Sequence, residues 1–173
     1  DNDNQQLFPT QAWGKLYLTA PTSRSLNANQ FQINSYKVLV RDPSTVVRRN
    51  GAVLTGLTNN YYFFESSTAD VIEADKPIMV AQYITTREFC GNTRFTNNTN
   101  QSLGDPEMIY LSPLEQTIDK VTINSTPNAV INEHWLNVVV KSTAVGSLRI
   151  DGVLPAAMVS RWQGYRRQDH HRR

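Results

Sequence analysis

Apolar residues along this 173-residue chain recur in short runs that alternate with period two, each closed by turn residues. That rhythm predicts β-strands, because successive side chains on a strand point to opposite faces. The runs are 15–19 (KLYLT) before Ala20-Pro21, 36–41 (YKVLVR) before Asp42-Pro43, 45–54 (TVVRRNGAVL), 61–65 (YYFFE) and 78–84 (IMVAQYI). They continue with 108–111, 120–124, 136–141 and 147–150, the last running into Asp151-Gly152. In the second run Tyr36, Val38 and Val40 share one face. In the third, Asn50-Gly51 separates two apolar pieces, the strongest short-range hairpin signal. The one helical hint is Ser112-Pro113-Leu114-Glu115, which has capping-box spacing but is followed at once by alternation, so it predicts a single turn at most. Many short strands with frequent turns predict an all-β fold, an antiparallel β-sandwich of immunoglobulin-like size.

The chain also echoes itself. Gln11 stands four residues before Lys15-Leu16-Tyr17-Leu18, and Gln116 stands four before Lys120-Val121-Thr122-Ile123, an offset of 105. Val38, Val40 and the Asn50-Gly51 turn find counterparts in Val138, Val140 and the Asp151-Gly152 turn, at offsets of 100 and 101. Either these are coincidences between β segments, or the chain holds two tandem sandwiches of which the second is incomplete. On the second reading residues 1–112 form the first repeat, 113–155 begin a second, truncated one, and 156–173 are a basic, non-periodic tail. That tail is expected to be unpacked.

Composition narrows the picture. Hydrophobic residues are 39% of the chain and charged residues 18%, below the roughly 25% charge of ordinary soluble domains. Asn, Thr, Ser and Gln take the missing share, as on the exposed faces and turns of extracellular β domains. The net charge of +2 resides in the tail: residues 161–173 hold five arginines and one aspartate, which leaves the body slightly acidic. A nucleic-acid partner is therefore not indicated. The single cysteine, Cys90, excludes an intrachain disulfide framework and a cysteine-based zinc site. The polar start, DNDNQQ, lacks the features of a signal peptide, and no apolar run approaches the length of a membrane span.

No catalytic constellation stands out. His134, His170 and His171 are the only histidines and lie at no metal-ligand spacing, so neither a metal nor a cofactor is expected. Cys90 sits in a Gly/Asn-rich stretch without a nucleophile elbow. Glu107, Glu115 and Asp119 share one region and could in principle serve as a glycosidase's paired carboxylates, though acidic residues at strand ends and turns are ordinary. The eight glycines never form a phosphate-cradling loop. The run Tyr61-Tyr62-Phe63-Phe64 is more informative: its alternation puts one pair toward a core and the other toward solvent or a second layer, where aromatic rings can meet a sugar or a protein. Asn97, Asn98 and Asn100, in the polar loop RFTNNTNQS, are the other candidate contacts; Asn97, Asn100 and Asn124 each open an Asn-x-Ser/Thr sequon.

Several segments taken in order resemble the N-terminal domain of IgGFc-binding proteins, in the form found in large exported proteins of gliding and type IX-secreting Bacteroidota. They are TQAWGKLYLTAP (10–21), VLVRDPSTVVRRNG (38–51), IEADKPIMVAQYI (72–84), CGN (90–92), GDPEMIYLSPLEQTID (104–119) and RIDG (149–152). The resemblance implies a β-rich extracellular module of cell-surface or mucus-associated proteins and carries over no catalytic residue. The shared motifs read as structural: Asp75-Lys76-Pro77 is expected to form a turn that launches the 78–84 strand, and Asp105-Pro106 to do the same for MIYL.

The resulting expectation is an extracellular or cell-surface binding and adhesion module, part of a larger exported chain, that recognises a protein or glycan on a host, mucus or cell surface. Membrane insertion and catalysis are not expected. The alternatives are a structural spacer without a ligand and, third, a glycosidase-like enzyme.

Overall fold

The computed structural model describes residues 5–24, 27–31, 33–84, 107–124, 136–140 and 142–155. Nine strands follow in chain order: β1 Gly14–Leu18, β2 Ser23–Arg24, β3 Asn27–Phe31, β4 Asn34–Val40, β5 Val47–Arg49, β6 Ala52–Val53, β7 Tyr61–Ser66, β8 Val71–Ile84 and β9 Glu107–Tyr110. Three 3-10 turns, Thr10–Ala12, Leu114–Gln116 and Ser142–Ser147, supply all the helical residues among those described. Every ladder is antiparallel. The all-β class expected from period-two alternation therefore holds.

β8 is the spine of a curled seven-stranded sheet ordered β6-β5-β8-β4-β7, with β1 and β9 also on β8; β2 and β3 form a separate two-stranded ribbon. One flank of β8 carries β4 against residues 78–83 and then β5 against 72–74. The other carries β9 against 81–84 and β1 against 71–78. The sheet bends where these partners change. Between the pairs Val40↔Ile78 and Val47↔Ala74, residues 41–46 answer 75–77, whereas β1 passes the same stretch between Gly14↔Ile78 and Leu16↔Glu73. The longer path on one flank and the shorter on the other fold the two arms toward each other. Tyr17, Val47 and Ile72 from one arm thus cluster with Tyr36, Val38, Tyr62, Phe64 and Val80 from the other.

This corner corrects one sequence expectation. Asp75-Lys76-Pro77 does not start a strand; it lies inside β8, which begins at Val71. Proline lacks the N–H a ladder needs, and Pro77 stands where pairing is interrupted. The excursion is clipped to the facing loop. Val46 N–H donates to Asp75 Oδ1 at 2.9 Å, Lys76 pairs with Asp42, and Asp42 Oδ1 accepts the N–H and hydroxyl of Ser44, each at 2.8 Å. The Lys76 ammonium, followed by the Ser44 bonds, lowers the Asp42 carboxyl to about 2.

The hairpin signals read correctly. Arg49 pairs with Ala52 across Asn50-Gly51, whose φ values of 51° and 85° fit a two-residue turn with both central residues left-handed. The sequence reading missed another such turn, Asn59-Asn60, which joins Thr58 to Tyr61.

Three anticipated strands are not found among the described residues. Residues 120–124 and 136–140 carry no strand, and 142–147 is 3-10. Near 147–150 only an isolated bridge, Ile150↔Val153, appears. Val121, Ile123, Leu136, Val138 and Val140 remain exposed. Alternation is necessary for a half-buried strand, yet it makes none without a neighbouring ladder.

Ser112 does not cap the turn that follows it. Pro113 occupies the N-cap without a side-chain bond, and Glu115 instead accepts Lys15 N–H at 2.9 Å while Gln116 Nε2 donates to the Ala12 carbonyl at 2.8 Å. The turn is thereby fixed against the start of β1.

Candidate functional site

The alternation of β7 sorts its four aromatics. Tyr62 and Phe64 face the core and are buried; Tyr61 and Phe63 face outward, and Phe63 is 55% exposed. Phe64 stacks on Tyr36 with centroids 5.0 Å apart, and the Arg49 guanidinium lies 4.4 Å from its ring centroid. Arg49 reaches Asp70 at 3.0 Å. These contacts commit Phe64 to structure. Burial pushes the Tyr36 phenol well up. Tyr17 is likewise a structural phenol: its hydroxyl donates to the Ile78 carbonyl at 2.6 Å and accepts Gly14 N–H at 3.0 Å, and burial raises it.

On the outer face, ladder register builds a platform. Phe63 stands opposite Lys37 and Tyr61 opposite Leu39 on β4. Lys37 in turn stands opposite Ala81, and Ala81 opposite Tyr110. Lys37 Nζ lies 5.1 Å from the Tyr61 ring centroid and 5.2 Å from that of Tyr83, within reach of a cation–π attraction. Tyr110 packs against Phe8, centroids 5.5 Å apart and planes at 58°, and Trp13 Nε1–H donates to the Phe8 carbonyl at 3.1 Å to fix that segment. Burial, then the neighbouring Tyr83, raise the Tyr110 phenol. Ala81, at the centre of the row, is buried, with Phe63 and Lys37 to one side of it and Tyr110 to the other.

Of the sequence candidates, Tyr61 and Phe63 are thus brought to this face, while Tyr62 and Phe64 lie in the core. Asn97, Asn98 and Asn100 lie outside the described residues, as do Cys90, His134, His170 and His171. Sequence reasoning did not select Lys37, Tyr83, Tyr110 or Phe8. Lys37 carried a signal, being the one charged residue of β4 and opposite in parity to Tyr36 and Val38. Tyr83 and Tyr110 could be placed beside it only through strand order. Glu115, a candidate carboxylate, is occupied by Lys15 N–H. Among the described residues no three His, Cys, Asp or Glu side chains are grouped to hold a metal ion, and no helix is long and apolar enough to cross a membrane.

Fold and site together define an all-β antiparallel module whose outer sheet face presents aromatic rings around a lysine. The chain belongs to the IgGFc-binding protein family, a family of binding modules: the family's profile, described as IgGFc binding protein, matches residues 1–170. That span runs past Gly152, where the quoted motifs end. Comparison with curated proteins gave no match, nor did comparison with solved structures.

Proposed function

We propose that the chain is a non-catalytic binding module, displayed outside the cell within a larger exported protein, that grips a protein or glycan through the outer face built by Tyr61, Phe63, Lys37, Tyr83, Tyr110 and Phe8. The observation that carries this reading is Phe63: a large aromatic side chain left mostly exposed within an ordered strand, with a lysine opposite. A rigid ring on a sheet offers contact area at little entropy cost, and aromatic side chains are favoured at interface centres. Membership of a binding-module family supports the reading.

Binding through an exposed sheet face fits weak binding, micromolar or looser, or no better than about −8 kcal/mol. The test is a glycan array, a pull-down from mucus and a titration with immunoglobulin Fc, beside a panel of hydrolase substrates. Binding that is lost in Phe63→Ser supports the proposal. Turnover abolished by replacing Glu107 or Glu115 refutes it, and silence in every assay favours the spacer.

A further inference from the structure

Beyond its outward ring, β7 has an unpaired backbone edge. Thr58 N–H donates to the Tyr61 carbonyl and Tyr61 N–H to the Thr58 carbonyl, both at 3.0 Å, so the Tyr61 backbone groups point away from β4. In an antiparallel ladder that direction alternates along the strand. The N–H and C=O of Tyr62, Phe64 and Ser66 therefore point to β4, where they face Val38, Tyr36 and Asn34, and those of Phe63 and Glu65 point to the far edge. The Val40 N–H bond to the Asn60 carbonyl, at 2.9 Å, agrees with this parity. Among the described residues nothing pairs with that edge. Natural sheets guard an edge with charged side chains, especially Lys, with Pro or with a bulge; YYFFES holds no Lys or Pro and one charged residue, Glu65, and its β4 register runs without a break.

We propose that the edge pairs antiparallel with β7 of a second copy of this chain, about a twofold axis passing between the two Phe64 residues. Phe63 then stands opposite the second copy's Glu65, and Glu65 opposite its Phe63, each pair exchanging both N–H···O=C bonds through groups the single chain leaves unused. A twofold contact must be self-complementary, and this register is. It sets Phe64 against Phe64 and Tyr62 against Ser66, so core-facing residues stay on the core face; a slip of one residue would reverse every side chain. Moving the axis to Phe63 would demand the Tyr61 backbone groups, which Thr58 already holds. Charge agrees as well. Lys37 lies opposite Phe63 on β4, so the second copy's Glu65 falls next in the same outward row, opposite in sign to Lys37 and one strand removed. A strand-to-strand contact is small, which fits a reversible dimer.

Sedimentation equilibrium of the full chain over a concentration series, paired with residue-resolved amide exchange, decides the matter. The expected result is a monomer–dimer equilibrium in which the Phe63 and Glu65 amides gain protection as the dimer fills, while the Tyr62 and Phe64 amides are protected throughout. Glu65→Lys, which sets like charges in the Lys37 row, and Phe63→Pro, which removes an edge donor that the monomer does not use, are each expected to weaken dimerisation at least about tenfold. A chain that stays monomeric up to about 1 mM, or a dimer in which the Phe63 and Glu65 amides exchange as fast as in the monomer, overturns the proposal. Loss of glycan or protein binding in Phe63→Ser with dimerisation intact bears on the outer-face reading alone, because that reading uses the ring and this one the backbone.

Discussion

Asn50 and Asp70 are joined as a clasp between the β5–β6 turn and the start of β8. Asn50 Nδ2 donates to Asp70 Oδ1 at 2.6 Å, and Asn50 Oδ1 accepts Val71 N–H at 2.8 Å. The backbone closes the same gap, with Asn50 N–H on the Val71 carbonyl at 2.9 Å. Asp70 is 1% exposed and is held from the other side by Arg49, while its own N–H donates to Thr19 Oγ1 at 2.9 Å. The asparagine that permits a left-handed turn residue is therefore also the partner of a buried carboxylate, and a buried acid without partners is strongly destabilising.

Asn50→Ala should accordingly cost more than Asn59→Ala. Both positions have positive φ, 51° and 49°, so the backbone penalty is shared and the difference isolates the clasp. Loss of a hydrogen bond to a charged buried group sets that difference at about 2 kcal/mol. Denaturant midpoints of the two variants measure it; equal midpoints would show that the clasp contributes nothing.

Gly14→Ala tests the junction of β1 with the 114–116 turn. A Cβ at Gly14 would fall 2.2 Å from Pro113 Cβ and 2.8 Å from Glu115 Oε2, an overlap that must move the turn and with it the Lys15–Glu115 bond. The expected loss is about 1–3 kcal/mol. Pro113→Gly in the same chain removes the first clash and should recover part of it in thermal unfolding.

Residues whose role is set by local chemistry were legible in the sequence, and those set by strand order were not. Asn50-Gly51 is a hairpin because only certain residues take two left-handed conformations in a row, so the signal is self-contained. The inward and outward division of Tyr61 to Phe64 follows from period two, though which pair is inward needed the β4 register. The platform needed more: Lys37, Tyr83 and Tyr110 come from three strands whose adjacency no local pattern encodes. Conversely, 120–124 and 136–140 carry strand-like alternation without a strand, because pairing depends on a neighbour. Asp75-Lys76-Pro77 misled for a related reason: a proline that ends pairing with one neighbour resembles a strand start when the strand merely exchanges partners.

The Asp42–Lys76 clip predicts a pH dependence confined to acid. Asp42 falls from an ordinary value of 3.8 to about 2 on folding, so the folded state holds its proton less tightly than the unfolded chain does. The stabilisation is present in full above about pH 4 and lost as pH drops toward about 2. Asp42→Asn should lower the melting temperature slightly at neutral pH and not at all near pH 2. Because the pair is exposed, salt should reduce the neutral-pH difference; a difference that persisted at pH 2 would rule out the ion pair as its source.

The four aromatics of β7 give the most discriminating series, since one strand carries both structure and the proposed function. Tyr62→Ala and Phe64→Ala remove buried rings, and the second also strips the contacts to Tyr36 and Arg49. Each should cost about 3–5 kcal/mol in chemical unfolding. Tyr61→Ala and Phe63→Ala remove rings that face out, so unfolding should shift by less than about 1 kcal/mol, while affinity for a ligand of the outer face should fall at least about tenfold, the usual loss when an interface anchor is truncated. Lys37→Met, which keeps the stem and removes the charge, should weaken binding in a salt-dependent way without unfolding the strand. The pattern is the test: stability should follow the even positions and binding the odd ones. If all four substitutions destabilised the chain alike, the outward face would be packed rather than free. If Tyr61→Ala and Phe63→Ala left both stability and binding untouched, the ligand would have to be held elsewhere on the chain.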